Sequence, residues 1–217
     1  VVGASAGLCL GGGAEGLLHC DSIQAHSESY IGLVEVGVGI IPAWGGCKEM
    51  LARIRDFNLA PGGPMGPIMK AFEIIGTAQV AKSADQARSM GFIGPDDSIS
   101  MNRDRLLADS KMKALSMSQG YTPPKPHTFN LPGQTARIAL EMAVSDLEKS
   151  GNATPHDIIV TSELAKVLSG GEADLTDSTG EEQILTLERD SIGRLGRQEK
   201  TIQRMEHMLQ TGKPLRN

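Results

Sequence analysis

The first hundred residues alternate short apolar runs with glycine-rich turns, whereas the later part is patterned for helices. Residues 1–10 are small and apolar without helical spacing, which predicts a buried strand. Three glycines at 11–13 then turn the chain into a short helix predicted over residues 14–20. Further extended segments are predicted at 22–25 and 30–36. The start of the chain is therefore predicted to be strands joined by tight turns.

Further helices are predicted from about residue 47 onward. The pattern places them over residues 47–55, 69–75, 103–119 and 134–149. Ser83 with Gln86 has the spacing of a capping box and predicts the start of another helix. Thr179 with Glu182 has the same spacing and predicts the start of the last helix, which Gly193 and Gly196 would interrupt.

This pattern divides the chain into three parts: a strand-and-turn core at residues 1–100, a helical region at 101–180 and a C-terminal helical segment at 181–217. Apolar residues recur in the last segment at three- and seven-residue steps, and they are Leu185, Ile192, Leu195, Ile202 and Leu209. Such a seam needs a surface to cover it. We therefore expect this segment to pack on the core or to join copies of the protein.

Composition excludes several classes of protein. With 40% hydrophobic and 22% charged residues, the 217-residue chain is globular rather than disordered. Its net charge of -5 argues against a nucleic-acid partner, and no apolar run reaches the roughly 20 residues of a membrane span. Three cysteines without zinc-site spacing predict a reducing, cytoplasmic environment and no metal. Because the sequence opens on Val1, already in a predicted strand, we expect it to be part of a longer protein.

The segment GGGAEG at residues 11–16 has two interpretations. It matches the G-x-G-x-x-G dinucleotide fingerprint, and Glu35 has the spacing of a ribose-binding acid. However, the following helix is short for a nucleotide-binding crossover. Glu15 would also compete with a pyrophosphate for the same helix N-terminus. A nucleotide-binding module is therefore the less favoured interpretation.

The favoured interpretation is an acid–base site. A glycine-rich turn leaves backbone N–H groups that can stabilise an oxyanion, and Glu15 lies one turn into the helix beside them. Glu35 is flanked by Val34 and Val36, so burial and a second carboxylate would raise its pKa. Two carboxyl groups in different protonation states can hold a water and move its protons. The pattern also allows Glu15 to serve only the helix dipole, Glu35 to face solvent from an edge strand, and the glycines to serve only close packing.

Longer stretches of the sequence resemble a known family. They are residues 7–15 (GLCLGGGAE), Cys20-Asp21 and residues 30–42 (YIGLVEVGVGIIP) with Gly45-Gly46. These stretches, and the interval between the two glutamates, resemble the crotonase (enoyl-CoA hydratase/isomerase) superfamily. The ending RMEHMLQTGKPLRN resembles the hydratase part of bacterial multifunctional 3-hydroxyacyl-CoA dehydrogenases, where it follows an NAD-binding portion. The specific likeness covers about residues 1–100 and the last 35, and it is loose in between.

The resemblance implies roles for individual residues. The Gly12 N–H would bind the thioester carbonyl of an enoyl-CoA as part of an oxyanion hole, whose second donor would lie upstream of Val1. Glu15 would activate the water and Glu35 would protonate the α-carbon, while the Ala43 N–H would help to position the water. Trp44 stands where the family has a small residue. It could line the acyl pocket or limit chain length, but packing is the role we favour.

The resemblance also implies a fold and a function. The fold would be α/β, a crotonase-like ββα spiral that is N-terminally truncated and has a largely helical C-terminal half. The function would be that of an enoyl-CoA hydratase of fatty-acid β-oxidation, in a homo-oligomer, with acyl-CoA as substrate and no cofactor in this chain. NAD would belong only to a fused dehydrogenase portion. The alternative is an enoyl-CoA isomerase, or a non-catalytic crotonase-like scaffold fused to that dehydrogenase. The chain alone would be a poor candidate for full activity.

Overall fold

The computed structural model describes residues 1–149, 151 and 153–217. The strands are β1 (Val2–Ser5), β2 (Leu8–Leu10), β3 (Ser22–His26), β4 (Tyr30–Gly32), β5 (Val80–Ala81), β6 (Ser98–Ser100), β7 (Thr128–Phe129) and β8 (Thr179–Gly180). The helices are α1 (Gly12–Leu18), α2 (Gly46–Asp56), α3 (Met65–Gly76), α4 (Ala84–Ser89), α5 (Leu106–Ser118), α6 (Gln134–Lys149), α7 (Pro155–Leu168), α8 (Glu181–Leu195) and α9 (Glu199–Thr211). Short 3₁₀ helices lie at Glu35–Val38 and Arg103–Arg105.

Two successive units of two strands and a helix build the part of the fold that carries the site. β1 pairs in parallel with β3, and β2 pairs in parallel with β4. Within each of the two units, the two strands therefore lie in different sheets, and a helix, α1 or α2, follows each pair. β6 extends the first sheet beside β3, and β5 extends the second beside β4. This arrangement is the predicted ββα spiral.

The core lies between these sheets and the helices that follow them. Met50, Leu51 and Ile54, the predicted apolar side of α2, are all buried. α2 packs on α1 and α3, and α3 packs on α6 and α7. The last two helices also reach the strand-rich part, since α8 contacts α2 and α9 contacts the 3₁₀ helix Glu35–Val38. None of the helices in the described residues is long and apolar enough to cross a membrane.

Two predicted strands are wrong in their extent. Residues 1–10 form two strands instead of one, because Gly7, at φ 69°, turns the chain between the two sheets. The strand predicted over 30–36 ends at Gly32, and Glu35 begins a 3₁₀ helix. Glu35 is therefore presented by a tight turn.

One predicted helix start is also wrong. Thr179 belongs to β8 and pairs with Phe129, so it does not cap α8. The cap is Gly180, whose N–H donates a 2.7 Å hydrogen bond to Gln183 Oε1. α8 runs through Gly193 without a break and ends at Leu195. The capping box of Ser83 is confirmed, since its Oγ accepts the N–H of Gln86.

Candidate active site

A cleft of about 780 Å³ lies beside the N-terminus of α1. Its lining residues are Gly12, Glu15, His19, Glu35, Ile40, Ile41, Ala43, Trp44, Leu185, Arg189 and Ile192. The set includes every residue to which the resemblance gave a possible role at the site: Gly12, Glu15, Glu35, Ala43 and Trp44. The cleft is therefore bordered by the glycine turn, the 3₁₀ helix, the loop before α2 and one face of α8.

Glu15 is held by the loop that leads into α2. The side chain is 5% exposed, and its Oε1 accepts the N–H groups of Trp44 at 2.8 Å and Gly46 at 3.1 Å. These donors belong to the start of a helix, where backbone N–H groups lack intrahelical partners and favour a negative charge. No hydrogen bond to Oε2 is found within the described residues, so this oxygen is available to a ligand in the cleft.

Glu35 has the opposite environment. Neither of its carboxylate oxygens has a hydrogen-bond partner among the described residues, and both are shielded from solvent. Burial raises the pKa of Glu35 to about 7, the negative charge of Glu15 adds to the rise, and the nearby backbone of Glu35 and Val34 offsets only part of it. The apolar neighbours in the sequence predicted this direction. The two acids thus line one cleft in different environments, and Glu35 does not face solvent from an edge strand.

The glycine turn brings the backbone to the cleft. Gly11 has φ 56°, a value that strains other residues, and a Cβ on it would lie 3.4 Å from Glu35 Oε1. Gly12 is the first residue of α1, so its N–H has no intrahelical acceptor. A Cβ on Gly12 would meet no other part of the described chain within 4 Å, so the space beside this residue is open. The turn can therefore present a donor to a bound oxyanion.

Ala43 and Trp44 border the cleft on the side of α2. Ala43 lines the cleft, and its role in positioning water stays a prediction. The packing role that we favoured for Trp44 is wrong within the described chain, because its side chain is 78% exposed at the cleft. A large apolar residue usually predicts burial, but the loop before α2 places the Trp44 side chain on the surface. Trp44 is therefore placed to contact a ligand.

A third acid, Glu188 of α8, was missed by the sequence analysis. It is fully buried, and its two oxygens accept the N–H groups of Gly45 at 2.7 Å and Lys48 at 2.9 Å. Burial raises its pKa to about 7, and the charge of Glu15 contributes. Gly45 and Glu188 are separated by 143 residues, so no local pattern signals their contact.

His19, which the sequence analysis did not single out, lies on the wall of the cleft. Its Nδ1 donates a 2.7 Å hydrogen bond to the carbonyl of Glu15. The spacing of four residues between Glu15 and His19 puts them on one helix face, and this signal could have found it. Within the part of the chain that the structure describes, no group of three His, Cys, Asp or Glu side chains could hold a metal ion.

The dinucleotide interpretation is not supported by the topology. β2, which leads into the glycines, pairs with β4, whereas β3, which follows α1, pairs with β1 and β6. The strands on either side of α1 therefore lie in different sheets and do not form the βαβ unit of a nucleotide-binding fold.

Solved structures and curated proteins that are similar to this chain identify its fold. No family model matches the chain. The carnitinyl-CoA hydratase of Mycobacterium avium matches 99% of the chain and 61% of its own, with a TM-score of 0.57 at 17% identity. Over 93 residues, 43% of the chain, the sequence is 36% identical to the short-chain-enoyl-CoA hydratase of Clostridium acetobutylicum, of which the match covers 31%. The chain has the crotonase fold.

Another relative matches this chain from end to end. It is a Bacillus subtilis protein named "Probable 3-hydroxyacyl-CoA dehydrogenase", 42% identical over 219 aligned residues that make up 100% of the chain. The match covers 27% of that relative, so the chain spans about a quarter of its length. The predicted resemblance to the crotonase part of such multifunctional proteins is confirmed.

Proposed function

We propose that this chain is the enoyl-CoA hydratase part of a fatty-acid β-oxidation enzyme, which adds water to trans-2-enoyl-CoA to give 3-hydroxyacyl-CoA. One observation carries the proposal: Glu15 and Glu35 line the same cleft beside the Gly12 N–H. Glu15 is hydrogen-bonded at a helix N-terminus, whereas the buried oxygens of Glu35 have no hydrogen-bond partner in the described part of the chain. Hydration needs one group that accepts a proton and one that gives a proton.

Glu15 is the proposed base. The N–H groups of Trp44 and Gly46 stabilise the negative charge on its Oε1 and leave Oε2 to bind water. As the oxygen of that water forms its bond to C3 of the substrate, a proton of the water passes to Glu15. The Ala43 N–H, at the edge of the same cleft, is proposed to help position the water.

Glu35 is the proposed acid. With a pKa of about 7, a substantial fraction of its carboxyl groups carries a proton at neutral pH. The electron pair of the C2=C3 bond moves towards the thioester as water adds, and the Gly12 N–H stabilises the charge that develops on the thioester oxygen. Glu35 then delivers its proton to C2. The two steps add the elements of water to the double bond and leave Glu15 protonated and Glu35 ionised; proton exchange with solvent then restores both acids for the next turnover.

The site needs no further group for these two proton transfers, so we propose that this chain works without a metal or redox cofactor. NAD would serve a fused dehydrogenase portion. The name of the Bacillus relative supports this pairing, because the product of hydration, a 3-hydroxyacyl-CoA, is what such a dehydrogenase oxidises.

We further propose a cytoplasmic homo-oligomer without a nucleic-acid partner. All three cysteines are free thiols, which suits a reducing compartment. Large apolar side chains remain exposed on the helical part of the chain; they include Leu107, Ile138, Met142 and Leu209. Contacts between copies would cover such residues.

The test is steady-state hydration of crotonyl-CoA by the full-length protein, followed by loss of the enoyl-thioester absorbance. Glu15→Gln and Glu35→Gln should each lower kcat by about 1,000-fold or more, because one proton transfer lacks its group. Glu28→Gln, an exposed change between the two positions in the chain, is the control and should leave kcat unchanged.

Three outcomes would contradict the proposal in different ways. Unchanged turnover in both glutamine variants would remove the roles of the two acids. A wild-type protein that moves the double bond of an enoyl-CoA without adding water would be an isomerase. Wild-type protein that does neither would support the non-catalytic scaffold.

A further inference from the structure

Two buried carboxylates share the N-terminus of α2. Glu15 Oε1 accepts the N–H groups of Trp44 and Gly46, while Glu188 accepts those of Gly45 and Lys48. The four donors lie within residues 44–48 and alternate between the two acids. The residue in the capping position, Gly45, has no side chain to do this work. The two acids therefore replace a local helix cap.

Glu188 also anchors α8 to this helix. The neighbouring Lys48 ammonium lies 2.6 Å from Glu49 Oε1 and 3.7 Å from Glu181 Oε1, so a second acid of α8 reaches α2. The Lys48 side chain is itself buried. The backbone conformation of residues 44–48 is thus fixed from the C-terminal part of the chain.

Glu188 is not among the residues that line the cleft, and its side chain is fully buried. It therefore has no contact with a substrate there. Its effect on the cleft passes through Gly45, which lies between the two donors that orient Glu15. A Cβ on Gly45 would lie 2.6 Å from His19 Nε2, so the backbone at Gly45 is closely packed and has little room to adopt another conformation.

We propose that Glu188 is a positioning residue for hydration: by holding the Gly45 and Lys48 N–H groups, it sets the loop whose Trp44 and Gly46 N–H groups orient the Glu15 carboxylate. This inference rests on the proposed function. It gives α8 a part in the reaction in addition to packing. A plain helix cap would instead contribute to stability and leave the turnover of folded molecules unchanged.

The experiment compares Glu188→Ala, Glu188→Gln and wild-type full-length protein. Loss of both acceptors in Glu188→Ala should lower kcat for crotonyl-CoA by about 100-fold, since a small misplacement of a reacting group has an effect of this size. KM should stay within about threefold, because no substrate contact is removed. The Gln variant keeps one acceptor oxygen, so its loss should be intermediate, and it serves as the variant of similar shape if the Ala variant folds poorly.

Glu163→Gln is the matched structural control. Glu163 of α7 holds Arg194 and Ser191 of α8 by hydrogen bonds of 2.7 to 2.9 Å, away from residues 44–48. It should lower Tm as the Glu188 variants do, yet keep kcat within about twofold of wild type. Equal losses of kcat in Glu163→Gln and Glu188→Ala would overturn the proposal, and so would wild-type kcat in Glu188→Ala.

Amide hydrogen exchange separates this proposal from the hydratase assignment. In Glu188→Ala the amides of residues 44–48 should exchange faster, including those of Trp44 and Gly46 whose acceptor, Glu15, is still present. If wild-type protein does not hydrate crotonyl-CoA, the function fails, while the exchange result still decides whether Glu188 holds the loop. Unchanged exchange at Trp44 and Gly46 would overturn the positioning role whatever the activity.

Discussion

The hydroxyl of Thr201, on the last helix, donates a 2.9 Å hydrogen bond to the carbonyl of Gly39, just after the 3₁₀ helix that begins at Glu35. Thr201 is fully buried, and its oxygen also lies 2.8 Å from His156 Nε2. Because Thr201 donates its hydroxyl proton to the Gly39 carbonyl, the His156 Nε2–H is the donor in the hydrogen bond between His156 and Thr201. Burial and the nearby Arg204 and Lys200 lower the pKa of His156, in keeping with a neutral ring. The C-terminal helices therefore support both acids, Glu188 on one side and Thr201 on the other.

Replacing Thr201 by Val should weaken this support. The variant would leave the Gly39 carbonyl and the His156 N–H unpaired in the interior, at a cost of about 1–3 kcal/mol in the free energy of unfolding. The turn that carries Glu35 would loosen, and kcat for hydration should fall by about tenfold. Thermal unfolding and crotonyl-CoA kinetics of the full-length protein measure the two effects. Thr201→Ser keeps the hydroxyl and is the control; equal kcat in the two variants would show that the turn does not depend on the hydrogen bond.

The two acids of the cleft could be identified from the sequence because each lies in a local pattern. Glu15 follows a glycine turn at the start of a helix, and Glu35 lies between two valines. Periodicity also located α2 and its buried side to within a residue or so. The ends of the strands were harder to predict, because the turn at Gly7 and the 3₁₀ helix at Glu35 depend on how the two sheets are arranged.

Long-range contacts account for what the sequence analysis missed. In the sequence, Glu188 cannot be distinguished from other acidic residues of an amphipathic helix. Its oxygens accept the Gly45 and Lys48 N–H groups only because α8 packs on α2 in the folded chain. Thr179 has the sequence pattern of a helix cap, but it pairs with Phe129 in a strand instead. In both cases a tertiary contact overrides the local preference.

Hydration should decline as the pH rises through about 7. Glu35 must carry a proton to deliver it to the substrate, and its pKa of about 7 means that this form is lost above that pH. The value of kcat/KM reports the free enzyme, so its alkaline limb should fall about tenfold per pH unit. The measurement is kcat/KM for crotonyl-CoA from about pH 5.5 to 9, with the fold of the full-length protein monitored by circular dichroism. A flat profile across this range would contradict the assignment of Glu35 as the acid.

Glu35→Gln should stabilise the fold at high pH. The unfolded chain loses the Glu35 proton near its ordinary value of 4.5, whereas the folded protein keeps it to about 7, so the folded state binds more protons between these values. The free energy of unfolding therefore falls as the pH rises from 4.5 to 7, and the cost persists above 7. Glutamine does not ionise and should recover about 1–3 kcal/mol at pH 8 but little at pH 4.5. Thermal unfolding at the two pH values measures this difference. Glu28→Gln, on the exposed surface, should show no such dependence, and the same gain in both variants would refute the argument.

Gly46→Ala should disturb Glu15 while sparing most of the fold. A Cβ at this position would lie 2.8 Å from Glu15 Oε1 and 2.7 Å from the Cβ of Pro42, so the carboxylate or the start of α2 must move. We expect kcat for hydration to fall by about 10- to 100-fold, because Oε1 would lose its alignment with the two N–H donors. Gly16→Ala is the matched control in α1, where the added Cβ meets no atom within 4 Å. Since alanine favours a helix over glycine, that variant should gain about 0.5–1 kcal/mol of stability and keep its activity. Wild-type kcat in Gly46→Ala would mean that the orientation set by this loop is not needed for turnover, which would remove Glu15 from the proposed role of base.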